Sequence, residues 1–329
     1  MRKIKAPLAV TSAALLALVA CGGDDGEYPT SGIDYIVPYD PGGGADPVGR
    51  EFSAMYADEL GVSATVENLP GGDETVALTE LFNDTPDGYR MSLASHTGLI
   101  TQPILNESLT YQSVDDYTAL VRMVQAPDAL LVLDESPYET LDDFIEDARE
   151  NPGELTLAAG GQLNEAMLML LELQEQADID LNLVAMSGGG EASTALMSGE
   201  VDAVGIVSSG QVGNIEDGVM RALAHVGTSD FNEILDGAPS FEEEGYDIPF
   251  MTAYLAVAPD GIDEDTLATM QEAALSVTES DEWQEWAASN GYLVDPIVGD
   301  ELEDWMREQE ELYDVAVAEA QDSDVEDET

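Results

Sequence analysis

Short apolar runs alternate with longer amphipathic segments along most of the chain. "DYIVPY", "SATVENL" and "YRMSLAS" predict strands, while residues 47–60 and "TVALTELFN" carry apolar residues at helical spacing. The alternation returns after residue 140, where the strands "ELTLAAG", "LNLVAM" and "VDAVGIV" stand between predicted helices at 140–151, 164–177 and 191–198. Such a rhythm is typical of sheets covered by helices, so the pattern predicts an α/β protein.

Two such α/β series, followed by a further extended stretch near the end of the chain, favour two lobes. The pattern alone leaves a single doubly wound domain as the alternative. We expect the chain to cross between lobes near residues 122–133, where two strands meet at Ala126-Pro127-Asp128, and again near 247–258. The predicted divisions are lobe one at 33–125 plus 251–320, lobe two at 126–250, and an acidic disordered tail at 321–329. Helices are expected at 263–280, 281–290 and from 300 to about 320.

The first residues, "MRKIKAPLAVTSAALLALVAC", combine a basic start with an uncharged apolar run that is short for a membrane span. "LVAC" resembles a bacterial lipoprotein box, which makes residues 1–20 a signal peptide and Cys21 a lipidated N-terminus. An ordinary secretory signal is the alternative. Cys21 is the only cysteine, so an intramolecular disulfide is excluded. Residues 21–32 then read as a flexible tether that holds the protein at the outer face of the cytoplasmic membrane or in the periplasm.

The charge balance is strongly acidic. Nine basic residues stand against 69 acidic ones, for a formal net charge of -60, and removal of residues 1–20 would leave six arginines and no lysine. This charge excludes nucleic acid as a partner, because phosphates would be repelled. Since salt at 1 M shortens the Debye length to about 3 Å, the composition favours a halophilic, ion-rich habitat over a merely acidic secreted protein.

A triple glycine follows the first strand in "IVPYDPGGGADPVGR". Asp46 before Pro47 predicts a helix start with Asp46 as its cap. The amides of Gly42, Gly43, Gly44 and Ala45 ahead of it would then face an anion at the positive end of the helix dipole. A plain tight turn is the alternative, and neither nucleotide-binding glycine fingerprint is matched.

Several other strand ends carry glycines or hydroxyl groups. Their convergence on one cleft would form a site for a small carboxylate, built from uncharged groups. The predicted ligand-binding residues are Tyr39, Pro41, Gly42, Gly43, Gly44, Ala45, Asp46, Gly71, Gly72, Asp73, Ser95, His96, Thr97, Ala159, Gly160, Gly161, Gln162, Ser187, Gly188 and Ser208.

An ordered set of segments, among them "IDYIVPYDPGGGADPVGR", "VENLPGG", "GGGEASTALMSGEVDAVG" and "MRALAHVGTSDF", resembles the substrate-binding receptors of tripartite tricarboxylate transporters, the TctC or Bug family. The resemblance runs from about Ile33 to Ala320. It implies a two-lobed, periplasmic-binding-protein type II-like "Venus flytrap", each lobe a sheet flanked by helices, joined by crossing hinge strands. It also implies a monomer without cofactor or catalysis that passes a small carboxylate to membrane permease subunits, with backbone amides of 41–46 and 70–74 and bridging waters holding the ligand.

The chain departs from the family pattern in two loops. Many members have P-G-A-G-G-N where this chain has residues 70–75, so Asp73 and Glu74 stand where glycines are usual; S-S-G-N-G-T is replaced by residues 159–164. If the two acids face the cleft, a monoanionic, neutral or amine-bearing ligand is favoured. If they cap the following helix, they oppose no ligand, and we favour this interpretation because acids suit a first helical turn.

Enzymatic readings have less support. His96 and His225 are too few for a histidine-rich metal site, and one cysteine excludes structural zinc of the C-x-x-C type. No G-x-S-x-G elbow is present, although a cell-surface hydrolase that uses a serine, His96 and an acid remains the alternative from another class. A receptor that feeds a sensor kinase cannot be separated from a transport receptor on sequence.

Overall fold

The computed structural model describes residues 28–41 and 44–327, with side chains up to residue 321. The predicted signal peptide, the predicted lipidation site Cys21, and Gly42 and Gly43 lie outside the described residues.

Strands and helices alternate in the first half of the chain: β1 (Ile33–Val37), α1 (Asp46–Leu60), β2 (Ala64–Asn68), α2 (Thr75–Phe82), β3 (Arg90–Ala94), α3 (Gln102–Leu105), β4 (Tyr117–Ala126) and β5 (Asp128–Leu133). The second half continues with α4 (Leu141–Glu150), β6 (Thr156–Ala159), α5 (Glu165–Ala177), β7 (Asn182–Ala185), α6 (Gly189–Ser198), β8 (Ala203–Val207), α7 (Val212–Glu216), β9 (Met220–His225), β10 (Thr252–Pro259), α8 (Glu264–Glu279), α9 (Asp281–Ser289) and α10 (Gly299–Asp327).

The strands form two five-stranded mixed sheets, in the orders β2-β1-β3-β10-β4 and β7-β6-β8-β5-β9. Each sheet has three parallel strands followed by one antiparallel strand, β10 in the first sheet and β5 in the second. Each of these antiparallel strands is the first strand after the chain has crossed from the other sheet. We call the first sheet with its helices lobe one and the second lobe two. The carboxyl ends of the three parallel strands lie at one edge of each sheet, which is where loops can form a site.

The chain crosses between the sheets at Pro127, between β4 and β5, and again where residues 250 and 251 lead into β10. Asp128 and Thr252, the first residues after the two crossings, are hydrogen bonded to each other. These crossings fall inside the two stretches in which the sequence predicts them.

Local chemistry accounts for most helix starts. Thr140 and Asp143 form a reciprocal capping box at α4, Asn164 accepts from the Met167 amide at α5, and Pro47 stands in the first turn of α1. The sequence did not predict the single π-helical turn at Thr97–Thr101 or α3 after it. The sequence predicts that the last helix ends near residue 320, whereas α10 continues to Asp327, through much of the expected tail.

Helix α10 packs against both lobes. It contacts β4 and the π-turn in lobe one and α5 in lobe two, and its Leu302, Met306 and Tyr313 belong to an apolar cluster that includes buried residues of both sheets. A second cluster fills the other face of the first sheet around Phe52 and Trp283, and a third lies between α6 and the second sheet. Within residues 28–41 and 44–327, no helix combines the length and apolarity needed to cross a bilayer.

The end of the predicted tether is fixed to lobe one. The Tyr28 hydroxyl donates to the Gly88 carbonyl at 2.8 Å, and the Thr30 amide donates to the Tyr89 hydroxyl at 2.8 Å. The rings of Tyr28 and Tyr89 lie 5.1 Å apart. Residues 28 and 30 at the end of the predicted tether are therefore in contact with lobe one.

Candidate ligand site between the lobes

The loop after β1 is held by a polar network on its lobe-one side. Arg50 donates from Nε to Asp46 Oδ2 at 3.0 Å and also bonds Asn68. Asn68 Nδ2 donates to Asp46 Oδ1 at 2.7 Å and to the Tyr39 carbonyl at 2.9 Å. The Asp46 charge is thereby paired with a guanidinium, and the loop backbone is tied to β2.

The helix start differs by one residue from the prediction. Ala45 takes the N-cap position of α1, and Asp46, predicted as the cap, is the first helical residue. The Gly44 carbonyl accepts from the Tyr292 hydroxyl at 2.9 Å. Gly44 also approaches lobe two, since a Cβ added at Gly210 would lie 4.0 Å from the Gly44 Cα. Gly44, at the end of the predicted anion loop, thus lies close to the other lobe.

In the loop after β2, Glu74 has a buried and hydrogen-bonded carboxylate. It is 2% exposed, and its carboxylate accepts from Tyr39 Oη at 2.5 Å, from the Ser95 amide at 2.9 Å and from the Ser95 hydroxyl. Burial raises the pKa of Glu74 to about 7, although the hydrogen bonds from Ser95 and Tyr39 lower it. This carboxylate joins the loops after β1, β2 and β3.

The favoured capping interpretation of the two acids is therefore wrong. Glu74 stands at the N-cap position of α2 with a left-handed φ of 74°, but its side chain makes no capping bond. Asp73 is exposed, and its carboxylate accepts from Gln102 Nε2 at 3.4 Å. Gly71 and Gly72 are exposed beside it and have positive φ values, as the tight loop requires.

The loop after β3 gives its donors to two glutamates. Ser95 serves Glu74, and Thr97 donates to Glu165 from its amide at 3.2 Å and from its hydroxyl at 2.7 Å. Glu165 opens α5, so this contact joins the two lobes. Burial would raise the pKa of Glu165, but His96 and Thr97 outweigh it and hold that pKa below its ordinary value.

His96 lies fully buried beneath α10. Its ring stacks on Tyr313 at 5.3 Å and lies 5.1 Å from Trp305, and its Nδ1 is 3.6 Å from Glu165 Oε1. Among the described residues neither imidazole nitrogen has a hydrogen-bond partner within bonding distance. His96 therefore belongs to the interlobe junction and not to the open end of the cleft.

The loops of lobe two contact each other through backbone atoms more than through side chains. A Cβ on Gly160 would clash with the Gly189 amide nitrogen, so the loops after β6 and β7 touch through their backbones. Ala159 is buried, Gly161 has a positive φ of 152°, and Gln162 is exposed. These neighbours of Gly188 supply few side-chain donors.

Two predicted hydroxyl groups have other partners. Ser187 is exposed, and its amide and hydroxyl both donate to Glu191 in the first turn of the following helix, α6. Ser208 is buried, and its amide and hydroxyl both donate to the Pro127 carbonyl at 2.9 Å. Ser208 therefore braces the first crossing, and both hydroxyl groups donate to other groups of the chain.

A buried acid lies at the hinge itself. Asp128 Oδ2 accepts from the Thr252 hydroxyl at 2.8 Å and from its amide at 3.2 Å, while Oδ1 has no hydrogen-bond partner among the described residues. Burial, with a further contribution from Glu165, raises the pKa of Asp128 to about 8.

No arginine of the described chain forms an ion pair with Glu74, Glu165 or Asp128. The six arginines of residues 28–41 and 44–327 bond elsewhere, namely Arg50 to Asp46, Arg90 to Glu80 and Asp84, Arg122 to Asp295, Arg149 to the Ala177 carbonyl, Arg221 to Asp134 and Arg307 to Asp115. No cluster of three metal-ligating side chains is found in that part of the chain. Among the described residues, the interlobe junction is therefore acidic, with Glu165 and Asp128 buried there beside His96.

Sequence reasoning missed Glu165 and Asp128. A weak signal existed for each, because Glu165 directly follows a capping Asn164 in one of the predicted loops, and Asp128 follows Pro127 at the predicted crossing. Neither position reveals burial, which depends on the other lobe.

The two α/β lobes have the same strand order, are connected by two crossings of the chain and carry glycine-rich loops at their strand ends, as in two-lobed solute-binding proteins. The sequence model of one such family, the tripartite tricarboxylate transporter family receptor (TctC), matches residues 48–312. The chain therefore belongs to the TctC receptor family, which confirms the resemblance seen in its sequence. It is 26% identical over 285 residues to a UPF0065 protein of Bordetella pertussis, covering 85% of this chain and 86% of that protein. BugT of the same species is 27% identical over 238 residues, 72% and 73% of the two chains.

Solved structures confirm the predicted fold class. A periplasmic transporter matches with a TM-score of 0.80 at 22% identity, covering 88% of this chain and 97% of that one. MatC from Rhodopseudomonas palustris, with bound malate, gives 0.76 at 23% identity and 88% and 100% coverage. R. palustris Rpa4515 with adipate gives 0.82 at 18% identity and 88% and 97% coverage.

Proposed function

We propose that this TctC-family receptor is a lipid-anchored extracytoplasmic protein that captures a small carboxylate between its lobes and delivers it to the permease of a tripartite tricarboxylate transporter. The observation that carries the proposal is the loop after β1. Its described end stands at the N-terminus of α1, Gly44 lies near Gly210 of lobe two, and among the described residues the nearby cation Arg50 is paired with Asp46. Helix N-terminal amides bind anions without a lysine or arginine.

Closure of the lobes is the proposed mechanism. A ligand that contacts both lobes only when they are closed shifts the population toward the closed state. The bonds from Thr97 to Glu165 join lobe one to lobe two, so they act on the same equilibrium. The two crossings, braced by Asp128 and Thr252, are the natural hinge.

The carboxylate class is supported by the malate and adipate held by MatC and Rpa4515. Lipidation at Cys21 and a permease partner follow from the lipoprotein box and the family membership. A binding role is favoured over hydrolysis because the Ser95 hydroxyl donates to Glu74 and not to the neighbouring His96.

A thermal-shift panel of mono-, di- and tricarboxylates, amino acids and aromatic acids in high salt tests the proposal. We expect saturable stabilisation by a small carboxylate without chemical turnover, by about 3 kcal/mol at a hundredfold excess over Kd. Turnover that is abolished by His96→Ala would support the hydrolase instead. Metabolic labelling with a fatty acid, compared between the full chain and Cys21→Ala, tests the anchor separately.

A further inference from the structure

Glu74 is a buried carboxylate in lobe one to which the capture mechanism assigns no task. It lies between the loops after β1 and β3 and takes three donated hydrogen bonds, from Tyr39 Oη, the Ser95 amide and the Ser95 hydroxyl. Three convergent donors at the carboxyl ends of neighbouring parallel strands are the arrangement that would bind an acid group from solution.

The surroundings are shaped for this side chain. A Cβ on Gly98 would lie 2.6 Å from Glu74 Oε2 and 2.7 Å from its Cβ, so only glycine leaves room for it there. The backbone of Glu74 is left-handed, with φ of 74°, a conformation that costs a non-glycine residue free energy. The carboxylate is held there despite that cost.

A second anion would be opposed at this place. Glu74 already interacts electrostatically with Glu165 across the lobe boundary, and among the described residues no arginine pairs with either one. By contrast, the amides of Gly44 and Ala45 donate no hydrogen bond within the described residues, so the loop after β1 keeps donors for one carboxylate.

We propose, building on the receptor function above, that Glu74 is a built-in carboxylate that occupies the acid-binding position formed by Tyr39 and Ser95. The receptor consequently selects a ligand that carries a single carboxylate, directed to the loop after β1, and a neutral amide, hydroxyl or ammonium group at its other end. Glu74 is thus a specificity-determining residue that sets the charge of the ligand.

The test uses calorimetric titration of two ligand pairs that differ by one carboxylate, succinate with its monoamide succinamate and adipate with its monoamide. The full receptor is compared with Glu74→Gly, which keeps the left-handed backbone without strain and exposes the three donors. Asp73→Gly is the matched control, since Asp73 also has a positive φ, 45°, and is an acidic residue of the same loop, but its exposed side chain does not touch those donors. Glu74→Gln keeps a side chain of the same length in the position and removes its charge, with one accepting oxygen replaced by a donating amide nitrogen.

The native receptor should bind a monoamide more tightly than the matching dicarboxylate. In Glu74→Gly, the affinity for the dicarboxylate should rise about tenfold or more relative to the monoamide, because three donors to a charged group become available. Asp73→Gly should change this ratio by less than about threefold, the scale of a screened surface charge. Glu74→Gln relieves the repulsion but still occupies the position, so it should raise the ratio by clearly less than Glu74→Gly does.

Other results overturn the inference in distinguishable ways. If the native receptor prefers the dicarboxylate, or if Glu74→Gln gains as much as Glu74→Gly, Glu74 does not occupy an acid-binding position, while the receptor function stands. If neither the native chain nor any variant binds a compound of this set or of the thermal-shift panel, the carboxylate-receptor function itself fails. Circular dichroism of Glu74→Gly shows beforehand that the variant is folded.

Discussion

The two lobes share a strand order but differ in how their loops meet at the cleft. In lobe one, side chains connect the three strand ends, with Glu74 bonded to Tyr39 and Ser95, and Asp46 bonded to Asn68. In lobe two, the equivalent loops meet through backbone, with Gly160 pressed against Gly189. Lobe one is therefore a charged, cross-linked wall, and lobe two a glycine wall whose polar side chains bond elsewhere.

The difference indicates that the two lobes contribute differently to ligand binding. Side chains can discriminate charge, so lobe one is suited to specificity, whereas a close-packed glycine surface lets backbone amides approach a ligand. The bonds from Thr97 to Glu165 and from Thr252 to Asp128 are where the two walls are linked.

The largest effect is expected where the glycine wall is closest. Gly160→Ala drives a Cβ into the backbone nitrogen of Gly189, a clash that a side-chain rearrangement cannot relieve. We expect a loss of about 2 to 3 kcal/mol in the free energy of unfolding, measured by urea denaturation. Gly190→Ala is the control, because a Cβ there meets nothing within 4 Å and favours the helix; it should be neutral or slightly stabilising. Equal losses in both variants would show that the contact between the loops is not tight.

The link from Thr97 to Glu165 comes next. Thr97→Val removes the 2.7 Å hydroxyl bond to a buried carboxylate at nearly constant volume, so about 1.5 to 3 kcal/mol should be lost from the free energy of unfolding. Thr228→Val removes an exposed hydroxyl bond to Asp230 at 3.2 Å and should cost under about 0.5 kcal/mol. A Thr97→Val effect no larger than that control would mean that the lobes are not joined here.

The hinge acid makes stability depend on pH. The folded protein holds the Asp128 proton with a pKa of about 8, against an ordinary 3.8, so this contribution to stability is complete below pH 3.8 and is lost as pH rises toward 8. Glu74, with a pKa of about 7, acts in the same direction. We expect Asp128→Asn to flatten the fall in stability between pH 5.5 and 8.5, by up to about 1.4 kcal/mol per pH unit. Parallel stability curves for the native protein and the variant would contradict the assignment.

The smallest effect concerns the polar network of lobe one. Arg50 is half exposed, so Arg50→Met should cost only about 0.5 to 1 kcal/mol of stability, yet it loosens the loop after β1 and should weaken carboxylate binding about threefold. Arg307→Met, which breaks a similarly exposed pair with Asp115, should leave the binding constant unchanged. Calorimetric titration distinguishes the two, and equal binding by both variants would remove Arg50 from the account.

Sequence periodicity and capping signals predict nearly every long element and both crossings, because these depend on residues near each other in the chain. Which loop side chains become buried depends instead on residues far away in the chain. The preference of acids for a first helical turn predicts Glu74 as a helix cap, but the donors on Tyr39 and Ser95, 35 and 21 residues away, bind it instead. Glu165 and Asp128 escaped notice because an acid becomes buried only when the other lobe covers it.

A crystal structure of the native receptor with the tightest-binding acid of the panels tests the central claim most directly. The account predicts the ligand carboxylate on the amides of the loop after β1, with Glu74 still bonded to Tyr39 and Ser95 and a neutral or cationic ligand end facing it. A ligand carboxylate bonded to Tyr39 and Ser95, with Glu74 displaced, would contradict it.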